Sequence, residues 1–123
     1  MAQTLCSRVS HLNPSFLHLK KLKMFSIVAV HGLGGDWERT WTDENGKLWL
    51  RDFLPMQLPT ARIMSYSYNS ATVFSKADTD INDEAAMLLD RLNGERRSGE
   101  EITRPIVFVS HNLGGILVKK AVL

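Results

Sequence analysis

The chain has 123 residues, 44% hydrophobic and 23% charged, with a formal net charge of +2. These values suit one ordinary globular domain at most and give no global argument for nucleic-acid binding. The single cysteine, Cys6, excludes an internal disulfide and fits a reducing, intracellular compartment. No apolar run reaches the roughly 20 residues that span a bilayer, so no transmembrane helix is predicted.

Charge is unevenly placed. Residues 1–35 contain no acidic side chain and carry Arg8, Lys20, Lys21 and Lys23, so the positive excess is all amino-terminal. Residues 1–24 are predicted to be a basic, disordered leader, with Asn13-Pro14 interrupting any long amphipathic helix. Two further readings of the leader stay open: an organelle-targeting presequence, for mitochondrion or endoplasmic reticulum, and a peripheral contact with an anionic membrane surface. Otherwise the compartment is the cytoplasm.

Residues 25–123 are assigned to a single α/β domain. Phe25 to Val30 reads as a buried parallel strand and runs directly into His31-Gly32-Leu33-Gly34-Gly35. A glycine loop at the carboxyl end of a central strand is where α/β sheets place ligands. A dinucleotide fingerprint would need glycine at position 37, which is Trp37, and no Gly-Lys-Ser/Thr phosphate loop occurs. The loop is therefore either a tight turn or an oxyanion-hole loop. No cofactor is indicated.

Residues 36–47 form a polar loop holding Trp37 and Trp41, with a turn at Asn45-Gly46. Trp49, Leu50, Phe53 and Leu54 recur at helical spacing, and Pro55 is expected to stop that helix. Ala61 to Tyr68 reads as a second strand, with Ile63, Ser65 and Ser67 on one side and Met64, Tyr66 and Tyr68 on the other. Residues 69–79 read as a loop. The strongest helix runs from Asp80, its expected cap, to Arg97, with Ile81, Ala85, Leu88, Leu89 and Leu92 as its apolar stripe. Residues 97–104 read as a charged connector.

Residues 104–123 then turn abruptly from strand to helix. Ile106 to Val109 is an apolar, largely β-branched run after Pro105, and Ile116 onward begins an apolar helix with Lys119 and Lys120 outside. Between them lies Ser110-His111-Asn112-Leu113-Gly114, the layout of a nucleophile elbow, which lifts its central side chain above the sheet. That centre is Asn112. A carboxamide has no proton to surrender to a base and cannot form an acyl intermediate. It does tolerate the positive φ that an elbow demands, and Ser110, Gly114 and Gly115 supply the small flanks. His31 and His111 lack further ligands at metal-binding spacing, so no metal site is predicted.

Taken together, VAVHGLGGD, WTDENGKLWLRDFLP, ARIMSYSY and SHNLGG resemble the amino-terminal half of an α/β-hydrolase-fold serine esterase/lipase family, the serine-active-site-containing proteins, with many fungal members. The resemblance covers about residues 27–123. It implies a three-layer partial α/β-hydrolase fold: a mainly parallel sheet of three strands near 26–30, 61–68 and 105–110, flanked by crossover helices. It also implies that Leu33 and Leu113 supply the oxyanion-hole amides, with motif glycines Gly32, Gly34, Gly35, Gly114 and Gly115, and that position 112 is the nucleophile, where the family has serine. In this family Asp/Glu and His follow the elbow, and none of the three occurs after Asn112. The expectation is a truncated or pseudoenzyme form, inactive as this chain, or an interaction module. The alternative is a fragment or variant of a serine esterase acting on lipid or other carboxylic esters. An exposed sheet edge at residues 106–109 is expected to recruit a second copy or a protein partner.

Overall fold

The computed structural model describes residues 4–6, 24–75 and 78–123, without the side chains of residues 4–6, 78 and 79. Four strands make one sheet: β1 (Thr4–Cys6), β2 (Phe25–Val30), β3 (Ala61–Ser67) and β4 (Ile106–Ser110), in the order β1-β3-β2-β4. β2 lies at the centre, parallel to β3 from Phe25↔Ala61 to Val30↔Tyr66 and parallel to β4 from Ser26↔Ile106 to Val30↔Ser110. The three expected parallel strands are therefore present. β1 is an addition, pairing antiparallel with β3 from Thr4↔Ser67 to Cys6↔Ser65. Apart from this strand and Met24, the leader expected over residues 1–24 lies outside the described residues.

The central strands are buried on both faces, and side-chain alternation divides two cores between them. Val28, Val30, Met64 and Tyr66 face α4 (Asp78–Glu95) and α6 (Gly114–Val122), where Ala85, Leu88, Leu92, Leu117 and Ala121 close the layer. Ile27, Ala29 and Ile63 face the other way, onto Trp41, Leu48 and Leu50. Trp41 ends a single 3-10 turn, Arg39–Trp41, and meets Trp49 edge-to-face at 5.8 Å. Helix, sheet and loop thus form three layers.

Several local expectations are corrected. Pro55 does not stop a helix. It sits in the first turn of a second one, α2 (Leu54–Gln57), directly after α1 (Trp49–Asp52), where its missing N–H leaves no bond unmade. Part of the loop at 69–79 is α3 (Ser70–Ser75), and the charged connector contains α5 (Gly99–Ile102). α5 starts at a reciprocal capping box, with Ser98 accepting from the Glu101 N–H and Glu101 accepting from the Ser98 N–H. α4 begins at Asp78 rather than at Asp80.

The apolar stripe of α4 also differs. Leu89 is 40% exposed, while Glu84 is buried at 3%. Glu84 lies one turn from Ile81 and Leu88 and so shares their face. A buried carboxylate is tolerable only with a donor, and the Tyr66 hydroxyl donates to Glu84 Oε1 at 2.5 Å. Burial and this bond both push the Tyr66 hydroxyl pKa upward, keeping it a donor. Among the described residues no helix is long and apolar enough to cross a membrane.

Candidate functional site

Parallel strands bring their carboxyl ends to one edge, so the loop after β2 and the turn after β4 must emerge side by side. They touch. A Cβ placed on Gly32 would lie 2.6 Å from the His111 carbonyl oxygen, 2.8 Å from Asn112 Cβ and 3.1 Å from the Leu113 nitrogen. On Gly114 it would lie 2.5 Å from the carbonyl oxygens of both Val30 and His31. Each motif therefore needs its glycine because the other motif's backbone occupies the space.

The turn itself continues the sheet by one bond and then closes. The His111 N–H donates to the Val30 carbonyl at 3.0 Å, the Gly114 N–H to the His111 carbonyl at 3.0 Å, and the Gly115 N–H to the Asn112 carbonyl at 3.1 Å. Asn112 holds φ at 54°, the one positive φ at a non-glycine residue among those described. The Cβ position of Gly115 lies 3.3 Å from Ser110 Oγ, so small residues flank the turn on both sides. Asn112 is exposed, and its Oδ1 accepts the Leu113 N–H at 2.6 Å. The main-chain donor beside the elbow is thus occupied by the elbow's own side chain.

Gly34, at φ 76°, and Gly35 complete the opposite loop. The Gly34 N–H donates to Ser70 Oγ at 3.2 Å, tying the loop to α3, and the Cβ position of Gly35 collides with Thr40 Oγ1. Leu33 is 52% exposed, and its N–H has no acceptor among the described residues.

His31 anchors the loop from below. It is 1% exposed, stacks on Tyr68 at 4.3 Å, places Nδ1 3.0 Å from the Gly32 carbonyl oxygen, and accepts the Tyr68 hydroxyl on its own carbonyl at 2.5 Å. The Gly32 carbonyl can only accept, so Nδ1 carries the proton and Nε2 is a lone pair. Nε2 is buried without a partner among the described residues, as is Trp41 Nε1. Burial pulls the His31 pKa below its ordinary value of 6.5. His111, exposed on the elbow, turns its ring edge-on to Trp41 at 6.4 Å.

The supports Tyr68, Ser70 and Thr40 carry no sequence signal, since each is an ordinary polar residue until the chain folds it under the loop. Away from this edge, a cavity of about 340 Å³ between α3 and α4 is lined in part by Asp80, Asp83 and Glu84. Among the described residues no group of three His, Cys, Asp or Glu side chains could hold a metal ion.

The molecule is thus a partial α/β fold in which a glycine loop and a strand-turn-helix meet at the carboxyl edge of a parallel sheet. Its sequence is similar to that of protein SERAC1 from human, at 25% identity over 129 aligned positions, and from cattle, at 26%, each covering 91% of this chain and 20% of the relative. Mouse protein SERAC1 is 25% identical over 79% of this chain. The chain spans about a fifth of the length of these curated relatives. All three are mammalian, and none bears on the fungal setting expected from the resemblance. No protein-family profile and no solved structure matches.

Proposed function

We propose that this chain is a hydrolase-type α/β domain whose elbow no longer performs ester chemistry, so that it acts as a non-hydrolytic module. The observation that carries this reading is Asn112: it sits at φ 54° where an elbow nucleophile belongs, and its Oδ1 takes the Leu113 N–H. Acyl transfer needs a nucleophile that a base can deprotonate and amides free to receive the developing oxyanion. Asn112 supplies no such nucleophile and occupies one of the two amides that the family resemblance assigns to that role. The low identity to protein SERAC1 is compatible with a hydrolase-like ancestry without fixing a substrate.

The alternative, a variant of an active serine esterase acting on lipid or other carboxylic esters, draws on the intact turn, which would receive serine without rearrangement. Hydrolysis of p-nitrophenyl butyrate and labelling by a fluorophosphonate probe separate the two. The unmodified chain is expected to show neither, and turnover by it overturns the proposal. Asn112→Ser is expected to stay at the same background, because neither described histidine hydrogen-bonds position 112: His31 is engaged with Gly32 and buried against Tyr68, and His111 lies against Trp41. Saturable, probe-sensitive hydrolysis by Asn112→Ser would favour the esterase variant.

A further inference from the structure

One buried polar atom beneath the glycine loop has no task in the site, and it is His31 Nε2. The other ring nitrogen is committed: the Nδ1–H donates to the Gly32 carbonyl at 3.0 Å, and the ring stacks on Tyr68 at 4.3 Å. Nε2 therefore carries a lone pair, and it meets no partner among the described residues. His31 is 1% exposed, so this chain itself closes the space around the ring, and nothing from outside reaches Nε2 while the loop stays in place.

A buried lone pair is tolerated, but a second buried N–H is not. Protonation at Nε2 would leave a cation with an unaccepted donor in a dry site, which is far more costly than the lone pair. The groups around the ring offer no acceptor. The Tyr68 hydroxyl already donates to the His31 carbonyl at 2.5 Å, and burial keeps it protonated. Asp36, the carboxylate of the same loop, is bonded to the Arg39 guanidinium and to the N–H groups of Glu38 and Arg39, so it favours the cation only through space. Glu84 of α4 accepts from Tyr66, which stacks on Tyr68 at 5.6 Å, and His111 of the elbow is turned to Trp41. The loop above the ring is lightly held. Gly34 is tied to α3 by the bond from its N–H to Ser70 Oγ at 3.2 Å, and the Gly35 N–H closes on the Gly32 carbonyl at 3.1 Å. The elbow opposite is fixed to the sheet through the His111 N–H on Val30.

We infer that His31 is a proton-operated latch: uptake of a proton at Nε2 drives residues 32–35 away from the elbow while the sheet stays folded. The closed loop disfavours the charged ring, whereas an opened loop gives it water. The opening constant therefore rises as pH falls below the ordinary histidine value of 6.5, by about tenfold per pH unit until the closed form itself takes up the proton. Gly32 seats against the His111 carbonyl and Asn112 Cβ with no room to spare, so displacing the loop parts the two motifs. The paired edge is thus a property of neutral His31. This holds whether or not the elbow hydrolyses esters, because it rests on the packing under the loop alone.

Amide hydrogen exchange of the full 123-residue chain between about pH 7.5 and about pH 5.5 tests the latch. Gly34 and Gly35 are expected to lose protection by about tenfold per pH unit below 6.5, at a rate that dilute urea leaves unchanged, since a loop exposes little surface on opening. The amides of β2 and β3 are expected to keep higher protection and to respond to urea. The His31 Cε1–H resonance should titrate with a midpoint below 6.5. Ser70→Ala loosens the tie to α3 and should raise that midpoint, while His31→Asn should hold the protection of Gly34 and Gly35 constant across the range. Loop amides that exchange only with the sheet, at its protection and urea slope, would overturn the inference. So would a proton dependence that persists in His31→Asn, or a His31 midpoint that Ser70→Ala leaves in place. If His31→Asn does not fold, the His31 resonance and its response to Ser70→Ala decide the matter by themselves.

Discussion

Gly32→Ala tests whether the two carboxyl-edge loops depend on each other. The new methyl would stand 2.6 Å from the His111 carbonyl oxygen and 2.8 Å from Asn112 Cβ. Neither neighbour can yield cheaply, because the His111 N–H is bonded to Val30 and its carbonyl to the Gly114 N–H. The loop must instead retreat from the elbow by several tenths of an ångström, loosening the His31 and Ser70 contacts behind it. Overpacking of this kind costs about 1–3 kcal/mol. At roughly 3–6 °C per kcal/mol for a domain of this size, the melting temperature should fall by about 3–18 °C. Gly46→Ala is the control: it has φ 78° but nothing within 4 Å, so it isolates backbone strain of about 1–2 kcal/mol without steric collision. Urea and thermal unfolding followed by circular dichroism measure all three proteins. A Gly32→Ala stability within about 0.5 kcal/mol of the parent would refute the reasoning, since an open surface site gives that result.

Three further outcomes follow from the same geometry. Gly94→Ala, in the last turn of α4 with no atom within 4 Å of the added methyl, should raise stability by at most about 0.5–1 kcal/mol, and any loss in urea unfolding would count against the helix there. Tyr66→Phe removes the hydroxyl from buried Glu84 and should cost about 1.5–3 kcal/mol in the same assay, while a neutral result would mean that the bond contributes nothing. His31 has a folded pKa below 6.5, so the unfolded chain binds more protons between the two values. Its contribution is complete above about pH 6.5 and is lost as pH falls through that value toward the folded pKa. Unfolding free energy should accordingly decline from about pH 7.5 to pH 5, and His31→Asn should flatten that decline. An unchanged slope in the variant would exclude His31 as its source.

Much of this protein follows from local order in the chain. Phe25–Val30, Ala61–Ser67 and Ile106–Ser110 are legible as strands because β-branched and aromatic residues alternate or run together there, and period two assigns their faces without knowledge of neighbours. The positive φ at Asn112 is equally legible, since a strand that turns at once into a helix needs a left-handed residue and asparagine accepts one. Other features depend on residues far apart in sequence. Glu84 lies in the core where Tyr66, eighteen positions earlier, donates to it, and a stripe read from α4 alone runs through Leu89 instead. Pro55 reads as a stop or as a first-turn residue depending on whether the chain bends at Phe53, which packing decides. Gly32 and Gly114 read as motif glycines, Gly114 as a small flank of the turn, without the neighbour each makes room for. Only the meeting of β2 and β4 shows that each must lack a side chain because the other's backbone stands where its Cβ would be. Sequence determined which segments are strands and helices, through short-range sterics and hydrophobic period. Tertiary structure decided which polar groups could be buried and which glycines were obligatory, because both depend on what stands on the far side of the contact.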